Sequence, residues 1–249
     1  VISNGLVLDK NGNKMSKRLG NAVNPFEVIE KYGTDAVRWY MISNAAPWEN
    51  LKFNEEGIVE AQRKFFGTLQ NTYNFFALYA NLDQFVPNEK PVALAERAEL
   101  DRWIISSLHT LIAEVEAAYQ DYEPHRAARA IQDFTSEKLS NWYVRLSLRR
   151  FWKGEMTDNK KAAYQTLYDC LVTIAQLMSP IAPFYADFLY QNLTTDATEK
   201  SESVHLTTWQ SAEKTYIDSN LEQQMALAQQ ICSMIHALRK KDNLRVRLP

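Results

Sequence analysis

Two lysines three residues apart, Lys14 and Lys17, stand in the string Lys14-Met15-Ser16-Lys17-Arg18, between Gly12 and Gly20 and just after the apolar run Leu6-Val7-Leu8. Ammonium groups on a glycine-flanked loop suit in-line displacement at phosphorus. Negative charge then builds on the equatorial oxygens and the leaving group, and catalysis is positioning plus charge. Ser16 is placed to support such a loop through its hydroxyl, and Met15 to anchor it among apolar neighbours. The same five residues also fit a solvated basic turn, so the surrounding elements have to decide.

Two further groups of cations could do binding chemistry. Arg145, Arg149, Arg150 and Lys153 occur without an acid, and Arg239, Lys240, Lys241, Arg245 and Arg247 occur against Asp242 alone. The first eighteen residues carry +3 and these two groups +4 each, so a net charge of −2 leaves the remainder at −13. A chain acidic as a whole but basic in three places points to a localised polyanion. Arg145 and Arg149, at i and i+4, can fork onto phosphates, with Trp142 and Trp152 near them as planes for unpaired bases. A solvated arginine face competes with that reading, and Trp142 sits on an apolar stripe that places it in a core. The last basic group fits either a polyanion contact or the negative end of a helix dipole.

Glycine divides the elements that must position these groups, since six of seven glycines fall within the first 67 residues. There Gly5 to Asp9 reads as a strand and residues 10–13 as a turn. Asn24-Pro25 opens a helix closed by Gly33, Thr34-Asp35 caps the next, and Pro47 ends it. From Asn54 onward the periodicity is helical. Stripes run through Ile58, Phe65, Leu69, Tyr73 and Phe76; Leu100 to Tyr122; Ile131, Phe134, Trp142 and Leu146; and Leu167 to Met178, with prolines between them. Phe66, Phe75 and Tyr79 join the same core. Residues 194–203 read as a loop, Ser203 to Thr207 as extended, and Ile217 to Lys241 as a last helix. The expected architecture is mainly α: a helical bundle preceded by a short α/β piece, divided at 1–53, 54–209 and 210–249.

Composition excludes several classes. With 249 residues, 46% hydrophobic and 23% charged, the chain is neither disordered nor collagenous. Cys170 and Cys232 form no CxxC pair, which gives no metal signature and no disulfide framework; both read as small buried residues. No apolar run approaches a membrane span. The chain starts at Val1 with no leader-like segment, and the expectation is a cytoplasmic, monomeric piece of something longer.

The ordered anchors Gly5-Leu-Val-Leu-Asp, Lys14-Met-Ser-Lys-Arg-Leu-Gly-Asn, Asn24-Pro25 and Tyr32-Gly-Thr-Asp-Ala-Val-Arg38 resemble the end of the nucleotide-binding domain of class I aminoacyl-tRNA synthetases, whose signature loop is KMSKS. Ala46 to Gly57, Asn141-Trp-Tyr-Val-Arg145 with Arg149-Arg150, Ser179-Pro-Ile-Ala-Pro-Phe184 and Leu238 to Pro249 are similar to isoleucyl-tRNA synthetases in particular, so the likeness covers nearly the whole chain. The resemblance implies activation of isoleucine with ATP and Mg²⁺ and transfer to tRNA(Ile). Lys14 and Lys17 match the catalytic lysines, and Lys14, Ser16 and Lys17 the ATP contacts. Arg18 departs from the motif's final serine.

The bundle, with Arg145, Arg149, Arg150, Lys153, Arg239, Lys240, Lys241, Arg245 and Arg247, would bind the anticodon region. Tyr32 to Arg38 would link loop and bundle, although Asp35 at a helix start with Arg38 as its i+3 partner explains the same residues. The family's HIGH-type histidine motif, amino-acid pocket and editing insertion are absent from these residues, so the piece is expected to be inactive alone, and any zinc is expected only outside it. A valyl-tRNA synthetase fragment, a stand-alone tRNA-binding module and a helical interaction protein are the alternatives.

Overall fold

The computed structural model describes residues 3–87, 90–152, 154–195, 197 and 200–245. Its sheet is minimal: β1 (Val7–Leu8) pairs in parallel with β2 (Leu51–Lys52), Val7 opposite Leu51. The strand read over Gly5 to Asp9 is thus shorter, and its sequence-distant partner carries no strand pattern of its own. A parallel pair requires a crossover, which α1 (Pro25–Tyr32) and α2 (Thr34–Asn44) supply. The Asn24 side chain accepts the Phe26 N–H as the α1 cap. Gly33 alone separates the two helices, so it is the α2 cap and Thr34 is already helical, without the capping bond expected of it. Glycine, at a φ of 82° here, has no side chain with which to cap.

Among the described residues every element after β2 is helical. Helix α3 (Glu55–Ala61) runs through a π turn (Gln62–Phe66) into α4 (Gly67–Leu82). Next come α5 (Glu99–Gln120), α6 (Pro124–Asp133), a long π segment (Phe134–Val144) that leads into α7 (Arg145–Trp152), α8 (Asp158–Met178), α9 (Pro183–Leu193) and α10 (Ser219–Lys241). Helix α8 is buried on nearly every face and is the axis of the bundle. One core extends from Val28 through Leu221, and in it Trp39 of α2 stacks on Phe65 at 4.1 Å between ring centres. Phe65 and Phe76 are fully in this core and Phe66, Tyr73, Phe75 and Tyr79 pack partly buried against it. Among the described residues no helix is long and apolar enough to cross a membrane.

The π segment explains one departure from the expected stripe. Thr135, Leu139, Tyr143, Ser147 and Phe151 are all buried at steps of four. An α-helix would rotate each fourth residue 40° off line, whereas i→i+5 bonding widens the turn and keeps them on one face. Leu146, counted into the core at 3.6 residues per turn, is therefore turned out and is 57% exposed. Tyr122 is exposed too, because α5 ends at Gln120 and Tyr122 takes a positive φ of 60° in the corner to α6. The extended reading of Ser203 to Thr207 also gives way. Val204–Leu206 is a 3₁₀ turn, since the Ser203 hydroxyl accepts the His205 N–H and Asp187 accepts both the Ser203 hydroxyl (2.7 Å) and the Val204 N–H (2.8 Å).

Asp35 and Arg38 form no ion pair. Each reaches instead to the corner between α8 and α9: Asp35 accepts the Tyr185 N–H (2.6 Å), and Arg38 donates to the carbonyls of Ile181 (2.8 Å) and Pro180 (3.2 Å). Burial raises the Asp35 pKa, which the Tyr185 N–H and the Arg38 charge partly counteract. Arg129 of α6 likewise donates to the Ser43 and Asn44 carbonyls at the end of α2. The first 53 residues are thereby bonded to the bundle at both ends of α2.

Candidate nucleotide loop and nucleic-acid interface

The signature loop is held from beneath by one carboxylate. Asp9 accepts the N–H groups of Asn11 (2.9 Å) and Asn13 (2.8 Å) and the side-chain amide of Asn21 (2.9 Å). Asn21 in turn accepts the Ser16 N–H (2.8 Å) and donates to the Lys14 carbonyl. The Asn21 amide, followed by the Asn13 N–H, holds the Asp9 carboxyl below its ordinary range. The Ser16 hydroxyl accepts the Arg18 N–H at the start of a 3₁₀ turn (Lys17–Leu19) that Gly20 closes at φ 68°, a conformation that favours glycine. Met15 is half-buried against the core. With its backbone fastened this way, the loop leaves the side chains of Lys14, Lys17 and Arg18 exposed. Asp9 and Asn21 escape a reading of charge spacing, because what they do is bond backbone; an asparagine between a glycine and a helix cap carries no distinctive pattern.

The bundle cations separate into two kinds. Arg145 and Arg149 are exposed on one face of α7. Arg150, one residue on, turns inward: its guanidinium grips both oxygens of the fully buried Asp101 at 2.7 Å and donates to the Asn159 carbonyl. Tyr143 donates to the same carboxylate at 2.7 Å. Both terminal nitrogens of Arg150 are thus committed inside the bundle rather than presented to a ligand. At the end of α10 and just after it, Lys240, Lys241 and Arg245 are exposed, while Arg239 donates to the Arg245 carbonyl. Lys153 and Arg247 lie outside the described residues.

Between the α6–α7 helix and α10 runs an open groove of about 930 Å³. Asn141, Trp142 and Arg145 form one wall and Gln229, Gln230 and His236 the other. Trp142 is half-buried, so it packs on the core and still shows part of its ring to the groove. An aromatic plane, amides that can read base edges and a guanidinium at the rim are groups that bind unpaired nucleotides. The α10 members were not singled out by sequence, because a run of Gln, Ser and His on a helix looks like any solvated face until its partner wall is known. Cys232 lines this groove half-buried and Cys170 is buried. Among the described residues no group of three or more His, Cys, Asp and Glu could hold a metal ion.

Residues 101–249 match the model of the anticodon-binding domain of tRNA ligases. The chain belongs to that family. Residues 1–54 match class I tRNA synthetases of the I, L, M and V group, which accounts for a signature loop ahead of an anticodon-binding domain. The chain is 62% identical over its whole length to isoleucine–tRNA ligase of Porphyromonas gingivalis, 60% identical to that of Cytophaga hutchinsonii and 46% identical to that of Dehalococcoides mccartyi. It spans only 22%, 22% and 24% of those proteins.

Among solved structures, the chain is similar to methionyl-tRNA synthetase of Mycobacterium tuberculosis bound by methionyl-adenylate. That match has a TM-score of 0.61 and 25% identity, and covers 74% of this chain and 36% of that one. A LeuRS–tRNA–LeuAMS ternary complex from Agrobacterium radiobacter K84 shares the fold at a TM-score of 0.63 and 19% identity, over 87% of this chain and 24% of that one.

Proposed function

We propose that these residues are the tRNA-binding and loop-bearing part of an isoleucine–tRNA ligase, working as a cytoplasmic monomer. Identity of 58–62% along the entire chain to proteins of that one name carries the reading. In it, residues 1–53 close the nucleotide-binding domain, 54–209 form the anticodon-binding bundle, and 210–249 add a helix and basic tail.

Lys14 and Lys17 close on ATP while the isoleucine carboxylate attacks the α-phosphorus and pyrophosphate leaves. Their ammonium groups balance charge on the equatorial and leaving-group oxygens. Ser16 and the Asp9–Asn21 bonds hold the backbone at the geometry this needs. The exposed loop side chains are cations, so Mg²⁺ accompanying the nucleotide would be ligated by phosphates and by groups elsewhere. Arg145, Arg149, Lys240, Lys241 and Arg245 take tRNA phosphates, and the groove beside Trp142 takes unpaired bases. The amino-acid pocket and the histidine motif belong to other parts of the ligase, so these 249 residues are expected not to aminoacylate by themselves.

Lys17→Ala in the full-length ligase tests the loop. Isoleucine-dependent pyrophosphate exchange is expected to fall by about 10²-fold or more, the scale of losing one transition-state charge contact, with tRNA affinity unchanged. Unchanged exchange would remove the loop assignment.

A further inference from the structure

Helix α10 is hydrogen-bonded to α5 near its start. Leu221 is buried, and Glu222 accepts the hydroxyls of Ser106 (2.5 Å) and Thr110 (2.9 Å). Farther along, Leu227, Ile231, Met234, Ile235 and Leu238 are all between 48% and 65% exposed. At 100° per residue these five fall within one stripe about 100° wide, on the side opposite Gln229, Ser233 and His236, which face the groove. The stripe therefore points away from the rest of the chain. From Gln223 to Leu238 there is no Asp, Glu, Lys or Arg. A helix meant to stand in water carries charge on its outer face, and half a helix without packing is marginal by itself.

We infer that this stripe is an internal docking face, covered in the longer protein by an apolar surface from outside these 249 residues. Length favours that occupant, since the chain makes up 22% of the isoleucine–tRNA ligases it matches, so most of such a protein is available to cover it. Size favours it as well. A stripe one helix wide and twelve residues long is roughly 18 Å by 10 Å, well short of the ~1,000 Å² that a specific contact between separate molecules needs. Within one molecule, the tethered partner's effective concentration makes so small a face sufficient. The covering segment would stand beside the groove and the basic end of α10. The inference takes only the length of the longer protein from the proposed function.

The test uses the full-length ligase without tRNA, carrying a photo-crosslinking residue in place of Met234. A crosslink to a segment of the same molecule outside residues 1–249 is expected, with the mass by sedimentation that of one protomer. In the double variant Ile231→Glu/Leu238→Glu, amides of 227–238 and of that same segment should exchange at least tenfold faster than in the parent. A crosslink between two protomers would assign the stripe to a second copy and overturn the inference. So would free exchange of 227–238 in the parent protein with no crosslink formed. None of these readouts depends on adenylate formation or tRNA binding, so failure here leaves the proposed function standing, and the reverse.

Discussion

Arg149 and Arg150 are adjacent, of one type and in one basic run, yet they differ in what removal would do. Arg150→Ala would leave Asp101 charged, fully buried and without its cation, which costs about 3–5 kcal/mol. A denaturant titration should show that loss, and a variant as stable as the parent would contradict the pairing. Arg145→Ala/Arg149→Ala should leave stability within about 0.5 kcal/mol, as expected of exposed positions. The same double variant should flatten the slope of log affinity for tRNA against log salt by about 1 to 2, the release of counterions from two phosphates. An unchanged slope would mean that these arginines face no RNA. Sequence could nominate the four cations of this run but not divide them. The division depends on Asp101, which lies 49 residues away and becomes a neighbour only because α5 packs on α8 and on the π segment that leads into α7.

At the scale of elements, most of the bundle was readable because apolar side chains recur at helical spacing and prolines separate the runs. What escaped was phase and partnership. No local signal announces that 134–144 winds as a π segment, so the apolar spacing puts Leu146 on the wrong face. Nor does Leu51-Lys52 look like a strand until β1 lies beside it. Close approach is similarly hidden. Gly57 at the start of α3 sits under the Tyr40 ring, where a Cβ would fall 2.3 Å from a ring carbon. The Tyr40 hydroxyl is itself fixed by the Lys52 carbonyl and the Asn54 N–H, so the ring cannot yield. Gly57→Ala should cost about 1–3 kcal/mol by overpacking, measured by thermal unfolding; a neutral result would show that the ring relaxes freely.

His109 makes a pH-dependent prediction for the segment that leads into α10. Its Nδ1 accepts the Glu213 N–H at 3.1 Å, and burial lowers its pKa while the Glu213 charge opposes. A folded pKa below the unfolded value of about 6.5 means that the neutral form is favoured in the folded protein. Its stabilisation is complete above that value and is lost as pH falls from there through the lower folded value. Amides of 209–217 should exchange faster, relative to unstructured peptide, as pH drops below about 6. A protection pattern constant between pH 7 and 5 would contradict the bond.

For the whole molecule, the first 53 residues and the bundle are joined by side-chain bonds to backbone groups across their contact. Asp35 and Arg38 of α2 hold the α8–α9 corner, and Arg129 of α6 holds the end of α2. The strings around Asp35 and Ser179 each carried family resemblance, but nothing in either indicated that they touch. That contact fixes α2, and the short sheet it crosses over, against the helical bundle.

In the function proposed above, the bundle reads the anticodon region of an isoleucine tRNA. The direct measurement is a salt titration of its binding to that tRNA, beside the same tRNA with an altered anticodon. The account predicts tighter binding to the intact anticodon, by roughly tenfold or more if one base contact worth 1–3 kcal/mol is lost, with similar salt slopes because the phosphate contacts are shared. Equal affinity for both RNAs across the salt range would contradict it.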